Sequence, residues 1–151
     1  MTCGQIVGDS AARCAAIIAK VAPGKPVFVW SDLFDPNHNA QKVDKNGKPF
    51  IMYMDKGEGP WDKSWEKLPK SVGIVNWAGN KAQSAAFFSG EGHQQILSGA
   101  APDQISQWLQ SSGQKPGVVG VMYTNWNHDY KLLEKYVEAV KDWEKQAGYK
   151  D

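Results

Sequence analysis

Cysteine, excess charge and long hydrophobic runs are all scarce in this sequence, and each shortage excludes a class of protein. The 151 residues include two cysteines, Cys3 and Cys14, which with three scattered histidines form no zinc-ligand pattern. The formal net charge is +1, so there is no electrostatic case for binding nucleic acid or an anionic membrane. The longest apolar stretches are far too short to span a bilayer. We therefore expect no metal, no cofactor, no nucleic-acid partner and no membrane span.

A secretion signal is also missing from the sequence. The chain does not open on a charged segment followed by an apolar one, so the cytoplasm is the default location. In that compartment Cys3 and Cys14 are expected to be free thiols, although a disulfide between them stays open as an alternative.

What the sequence does contain is a series of short apolar runs separated by helical patterns. Hydrophobic residues make up 42% of the chain, enough for the core of one domain, residues 1–151. Asp9 and Ser10 are candidate caps for a first helix, and the closing helix is expected from about 128 to 147. Helices and apolar strands are expected to alternate between them, with strands in VFVW, SVGIVNW, QQILSG and GVVGVMY. A long loop over the strand ends, 35–70, holds a further strand-like run, FIMYM.

The continuous apolar strands predict an α/β fold with a parallel sheet covered by helices. A doubly wound sheet usually carries a glycine-rich phosphate loop after its first strand, and here Ser31, Asp32 and Leu33 follow instead. An open flavodoxin-like sheet that binds a nucleotide or flavin stays as an alternative. A (β/α)8 barrel gathers its polar residues at the carboxyl ends of the strands, and a complete one takes roughly 250 residues. Four βα units therefore predict half of such a barrel, with the helices outside.

Tryptophan and polar residues are concentrated at the predicted carboxyl ends of the strands. Side chains gathered at this edge of a parallel sheet are candidates for a ligand site, with Asp32 as the candidate catalytic carboxylate. The candidate substrate-binding residues are Trp30, Asp35, His38, Asn39, Asn76, Trp77, Tyr123, Asn125 and Trp126.

The succession VWSDLFD, LPKSVGIVNW, GEGHQQILSG and GVVGVMYTNW resembles glycoside hydrolase family 20 over roughly residues 10–130. The resemblance is to strands five to eight of a hexosaminidase-type barrel. It implies that Trp30, Trp77 and Trp126 line the pocket for the terminal sugar. It also implies that the family's catalytic Asp-Glu pair, which ends strand four, has no counterpart in this chain. The tyrosine that the family places after strand seven is not found in LSGAAPD, so the resemblance does not extend to specificity for an N-acetyl sugar.

Three functions remain open on these grounds. The first is a fragment that carries the sugar-binding half of a glycosidase cleft and lacks the catalytic pair. The second is a complete small glycosidase whose homodimer builds a site from Asp32 and a carboxylate of the partner, and the third is a non-catalytic carbohydrate-binding module. Because an open four-stranded half barrel exposes two strand edges, we expect either a homodimer or a missing N-terminal half.

Overall fold

The fold is an α/β sandwich of one parallel sheet and one layer of helices. A computed structural model describes residues 2–44, 46–48, 61–77, 81–126 and 128–149. The strands are β1 (Val27–Trp30), β2 (Val72–Asn76), β3 (Gln95–Gly99) and β4 (Val118–Tyr123). The α-helices are α1 (Cys3–Val21), α2 (Lys81–Gly90), α3 (Pro102–Ser112) and α4 (Leu133–Gln146). The strands lie in the order β1-β2-β3-β4, and every neighbouring pair is parallel, as expected of half a βα barrel.

The helices cover one face of the sheet and create two hydrophobic clusters. In the first, β1 and β2 pack against α1 and α2, with Phe88 and Ile74 fully buried at its centre. In the second, Leu97 of β3 packs against Trp108 of α3 and Tyr136 of α4. Because side chains alternate along a strand, the positions between these core residues point to the opposite face of the sheet.

The first helix begins earlier than Asp9 and Ser10 predicted. Thr2 caps it, because the Thr2 hydroxyl accepts a hydrogen bond from the Gln5 backbone and the Gln5 side chain accepts one from the Thr2 backbone. Asp9 and Ser10 lie inside the helix. Both cysteines are free, and since Cys3 and Cys14 are eleven residues apart on one helix, they are about 16 Å apart along its axis. A disulfide between them is excluded.

The connection from β1 to β2 includes the segment 35–70, which the sequence predicts to be a long loop. Its described part contains a short 3-10 helix, Ser64–Lys67, and no α-helix. The N-terminal half of α1 lies against this segment, since a Cβ atom at Gly4 or Gly8 would collide with the carbonyl oxygens of Asp62 and Ser64. Thus α1 itself covers β1 and β2. The predicted strand FIMYM lies outside the described residues.

The closing helix is shorter than expected and its apolar stripe is only partly buried. It begins at Leu133 rather than near 128, because the preceding residues form a turn in which His128 has a positive φ of 54°. Tyr136 is buried against α3 and β4, whereas Leu133 and Val137 are exposed. The side of α4 that carries Leu133 and Val137 is therefore exposed to solvent among the described residues. No helix in the part of the chain that the structure describes is long and apolar enough to cross a membrane.

Candidate functional site

The site begins where β1 and β2 end side by side. The Ser31 backbone donates to the Val75 carbonyl, and this bond continues the β1–β2 pairing for one residue beyond β1. The Trp77 backbone donates in turn to the Ser31 hydroxyl at 3.4 Å. Next to it, Nε1 of Trp77 donates to Oδ2 of Asp32 at 2.7 Å. The carboxylate thus holds the indole ring in one orientation at the carboxyl edge of the sheet.

A cavity of about 370 Å³ opens beside this pair. Asp32 and Trp77 line it together with Trp30, at the end of β1, and Trp126, which follows β4. The rings of Trp77 and Trp126 are 6.0 Å apart between centroids and tilted by 43°. Trp126 is 73% exposed and Trp30 is 42% exposed, so their rings are available to a ligand. Four of the ten predicted site residues therefore meet around one cavity, although they come from three strands.

The loop after Asp32 packs against the cavity lining through His38. Asp35 is fully buried, and its Oδ1 accepts hydrogen bonds from the backbone and side chain of Asn37. Its other carboxylate oxygen has no partner among the described residues. His38 packs edge-on against Trp77, with 5.7 Å between ring centroids, and Asn39 is half-buried in the same turn. Of the three, His38 touches a residue that lines the cavity, and none lines the cavity itself.

Two further predicted residues, Asn76 and Tyr123, lie on the helix side of the sheet. Asn76 is fully buried and donates from Nδ2 to Gln95, whose own amide donates to the Ala85 carbonyl of α2. Tyr123 packs against Tyr136 of α4, with 5.1 Å between ring centroids. Strand alternation explains both positions, since Asn76 shares a face with the core residue Ile74. Both side chains serve the packing between sheet and helices.

Asn125 shapes the turn that carries Trp126. Its side-chain nitrogen donates to the Asp129 carbonyl, and its side-chain oxygen accepts from the Asp129 backbone. Asp129 in turn accepts from the Lys131 backbone. These contacts fix the turn between β4 and α4, and they place Asn125 next to the cavity residue Trp126 without making it part of the lining.

The prediction from sequence missed several residues that build the site. Val29, Leu33 and Phe34 add apolar lining to the cavity, and Ser31 ties the two strand ends together. Ser31 follows directly after the apolar run VFVW, so its position was a usable signal for that role. The contribution of Leu33 and Phe34 depends on how the chain turns after Asp32, and no sequence pattern marks that turn.

A second polar feature at this edge of the sheet is Lys81, the first residue of α2. Its ammonium group lies 4.3 Å from the centre of the Trp108 ring. Burial lowers the pKa of Lys81, and the nearby Asp103 carboxylate partly offsets that effect. Lys81 does not line the cavity, and we assign it a contact between α2 and α3.

The chemistry available in the cavity follows from its lining. Asp32 is the single carboxylate among the described lining residues, whereas glycosidases generally use two carboxyl groups on opposite sides of the bond. No group of three or more histidine, cysteine, aspartate or glutamate side chains in the described ranges could hold a metal ion. The arrangement offers three indole rings, one fixed carboxylate and an apolar wall.

Comparisons with protein-family models, with curated proteins and with solved structures give no match.

Proposed function

We propose that this chain binds a carbohydrate ring in the tryptophan-lined cavity at the carboxyl edge of its sheet, as the sugar-binding half of a glycoside-hydrolase-like cleft. The observation that carries the proposal is the Asp32–Trp77 hydrogen bond of 2.7 Å inside a cavity also lined by Trp30 and Trp126. Indole faces stack on the C–H face of a pyranose ring, and a carboxylate accepts hydrogen bonds from its hydroxyl groups.

The size of the cavity and its one carboxylate support a single sugar unit. A volume of about 370 Å³ lies at the lower end of the range for small-molecule sites, which run from about 300 to 1,000 Å³. The hydrogen bonds of the described residues engage Oδ2 of Asp32, and its Oδ1 is left for a ligand. A flat apolar ligand would gain from the indoles but would offer this oxygen no hydrogen-bond donor, whereas a sugar hydroxyl can donate to it.

Binding rather than bond cleavage is the better-supported activity. A single carboxylate cannot act both as the acid and as the base or nucleophile on opposite sides of a glycosidic bond. Asp35, the nearest other acid in sequence, is fully buried and held by Asn37.

A titration followed by tryptophan fluorescence tests the proposal. Methyl glycosides of glucose, galactose, N-acetylglucosamine and N-acetylgalactosamine serve as probes, and we expect a saturable change with at least one. Trp126→Phe should reduce the change, whereas the control Trp143→Phe, on α4 and outside the cavity lining, should preserve it. A flat response to all four sugars would contradict the proposal.

Hydrolysis of the matching nitrophenyl glycosides separates binding from catalysis. We expect no turnover by the purified chain. Turnover that Asp32→Asn abolishes would instead favour the complete glycosidase, with the second carboxylate supplied by another copy of the chain.

A further inference from the structure

The two outer strands of the sheet, β1 and β4, each pair with only one neighbour among the described residues. Such an edge presents a row of backbone N–H and C=O groups that can pair with another strand. All four strands run in the same direction, and the free edges of β1 and β4 face opposite ways. A β4 strand from another sheet can therefore lie parallel to β1 on its free side, and a β1 strand can lie parallel to β4 in the same way. The two edges are therefore complementary to each other.

An exposed apolar stripe on α1 flanks the free edge of β1. One side of α1 packs through Gly4 and Gly8 against the chain around the 3-10 helix, which itself contacts α2 through Trp65 and Phe87. The side turned away from α2 carries four residues at helical spacing, and three of them are large and apolar. They are Ile6, Cys14, Ile17 and Val21, with Ile17 59% and Val21 75% exposed.

A matching stripe on α4 flanks the free edge of β4. A groove of about 180 Å³ runs between this strand and the helix, lined by Val118–Val121 on one side and by Val140, Trp143 and Glu144 on the other. Leu133 and Val137 precede Val140 by seven and three residues, so they continue the same side of the helix. Val137 is 41% exposed, and Val119 of β4 is also exposed.

The number and position of the helices fit closure by a second copy. α1 covers β1 and β2, α2 and α3 cover the next two pairs, and α4 lies beyond β4. Two copies would thus supply eight strands and eight helices, with one helix for each crevice between neighbouring strands. If α1 preceded β1 without covering the β1–β2 pair, it would compete with α4 of the second copy for the same crevice.

The charges of the two helices are also complementary. α1 carries two basic residues and one acidic residue, whereas α4 carries four acidic and three basic residues, which gives net charges of +1 and −1. Lys20 lies at the end of α1 next to Val21, and Glu144 lies in the groove near the end of α4. Parallel pairing of β1 with β4 would bring the ends of both helices to the edge of the sheet where the strands begin.

We propose that a second copy of this chain closes the half barrel. β1 of each copy pairs in parallel with β4 of the other, and the α1 stripe packs against the α4 stripe of the other copy. This inference is independent of the sugar proposal, because it depends on the outer edges of the sheet and not on the cavity.

Light scattering on a sizing column tests the closure directly. We expect wild-type chain to have twice the mass of one chain. Cys14→Glu and Val137→Lys, at nearly the same level on the two helices, should each weaken the dimer by about tenfold or more, since each buries an unpaired charge. The chain with both substitutions should recover the dimer, because each new carboxylate then faces a new ammonium group. Ala86→Lys, on the exposed side of α2, is the matched control and should leave the dimer intact.

A wild-type monomer would overturn the proposal. So would a double variant that is weaker than both single variants, because it would show that the two positions do not face each other. Circular dichroism of each variant establishes that the fold is kept, which the exposure of both side chains leads us to expect.

A cross-link provides a second test that does not depend on weakening the dimer. Cys14 lies seven residues before the end of α1 and Val137 nine residues before the end of α4, so their levels along the helices differ by about 3 Å. With diamide as the oxidant, two thiols lose their protons and two electrons to form the disulfide. We expect covalent dimer from Val137→Cys and none when Cys14→Ser is added. Covalent dimer of wild type through Cys14 alone would mean that α1 packs on α1, which contradicts the proposed pairing.

Discussion

Trp77 and Asp32 are 45 residues apart in the chain and are joined by a 2.7 Å hydrogen bond from the indole nitrogen to the carboxylate. The bond links the ends of two neighbouring parallel strands at the edge where ligands bind in α/β proteins. It engages Oδ2 of Asp32 and fixes the plane of an aromatic ring beside the carboxylate. This pair is the centre of the proposed carbohydrate site.

Asp32→Asn should weaken sugar binding by about ten- to a hundredfold. The amide oxygen can still accept from Trp77, so the ring keeps its orientation, while the charge-assisted hydrogen bond to a sugar hydroxyl, worth about 1.5–3 kcal/mol, is reduced. Isothermal titration with the tightest-binding methyl glycoside measures the change. Asp142→Asn, on the exposed side of α4, removes the same charge and should bind like wild type. If wild type and Asp32→Asn bind the sugar with equal affinity, Asp32 does not contribute to binding.

Trp126→Ala should weaken binding by about fivefold and leave stability unchanged. The ring is 73% exposed, so its removal opens no cavity in the core, whereas the ligand loses a stacking surface worth about 1 kcal/mol. Tyr130→Ala is a matched control, because it removes an exposed ring from the same connection without touching the cavity lining. If both variants bind equally well, Trp126 has no part in recognition.

The sequence predicted the parallel sheet because four apolar runs, each too short for a helix, alternate with helical patterns. Local signals bound α3, since proline is favoured in a first helical turn, as at Pro102, and glycine just after a helix, as at Gly113. The first residue of α1 was missed, although Thr2 and Gln5 have the spacing of a capping box. The long loop expected at 35–70 contains no α-helix in its described part, and α1 covers β1 and β2 instead.

The site was predicted less completely than the fold, and strand alternation is the main reason. Asn76 and Trp77 are neighbours at a strand end, yet one packs under the helices and the other lines the cavity. Which of them points to which face depends on the register of β2, and an apolar run of five residues does not reveal it. The approach of Trp126 to Trp77 depends on a turn held by Asn125 and Asp129, and this long-range contact has no local signature.

Gly8→Ala should destabilise the protein by about 2 kcal/mol. Alanine favours a helix over glycine by about 1 kcal/mol, but here a Cβ atom would collide with the Ser64 carbonyl and lie 3.0 Å from the Lys67 side chain. Gly90→Ala in α2 is the control, because a Cβ atom there meets nothing within 4 Å, and it should be neutral or slightly stabilising. Urea unfolding midpoints compare the two. A stabilised Gly8→Ala would mean that α1 does not pack on residues 61–67.

Wild type should lose stability as the pH rises above 10, and Tyr136→Phe should lose less. Burial raises the pKa of Tyr136 from 10.0 to about 12, so its contribution to stability is present below pH 10 and is lost as the pH rises towards 12. The loss is on the order of 2 kcal/mol. Since the hydroxyl has no partner among the described residues, the variant should be as stable as wild type at neutral pH. Unfolding curves from pH 8 to about 12 test this, and parallel curves for both proteins would contradict it.

The most direct test of the carbohydrate site is a sugar titration followed through the indole N–H signals of the seven tryptophans in a two-dimensional ¹H–¹⁵N spectrum. Each signal is assigned from a Trp→Phe variant. We predict that the signals of Trp30, Trp77 and Trp126 move together along one saturable curve, while those of Trp108 and Trp143 stay in place. Signals that stay fixed for the three cavity tryptophans, or that move for Trp143 instead, would contradict the assignment of this cavity as a carbohydrate site.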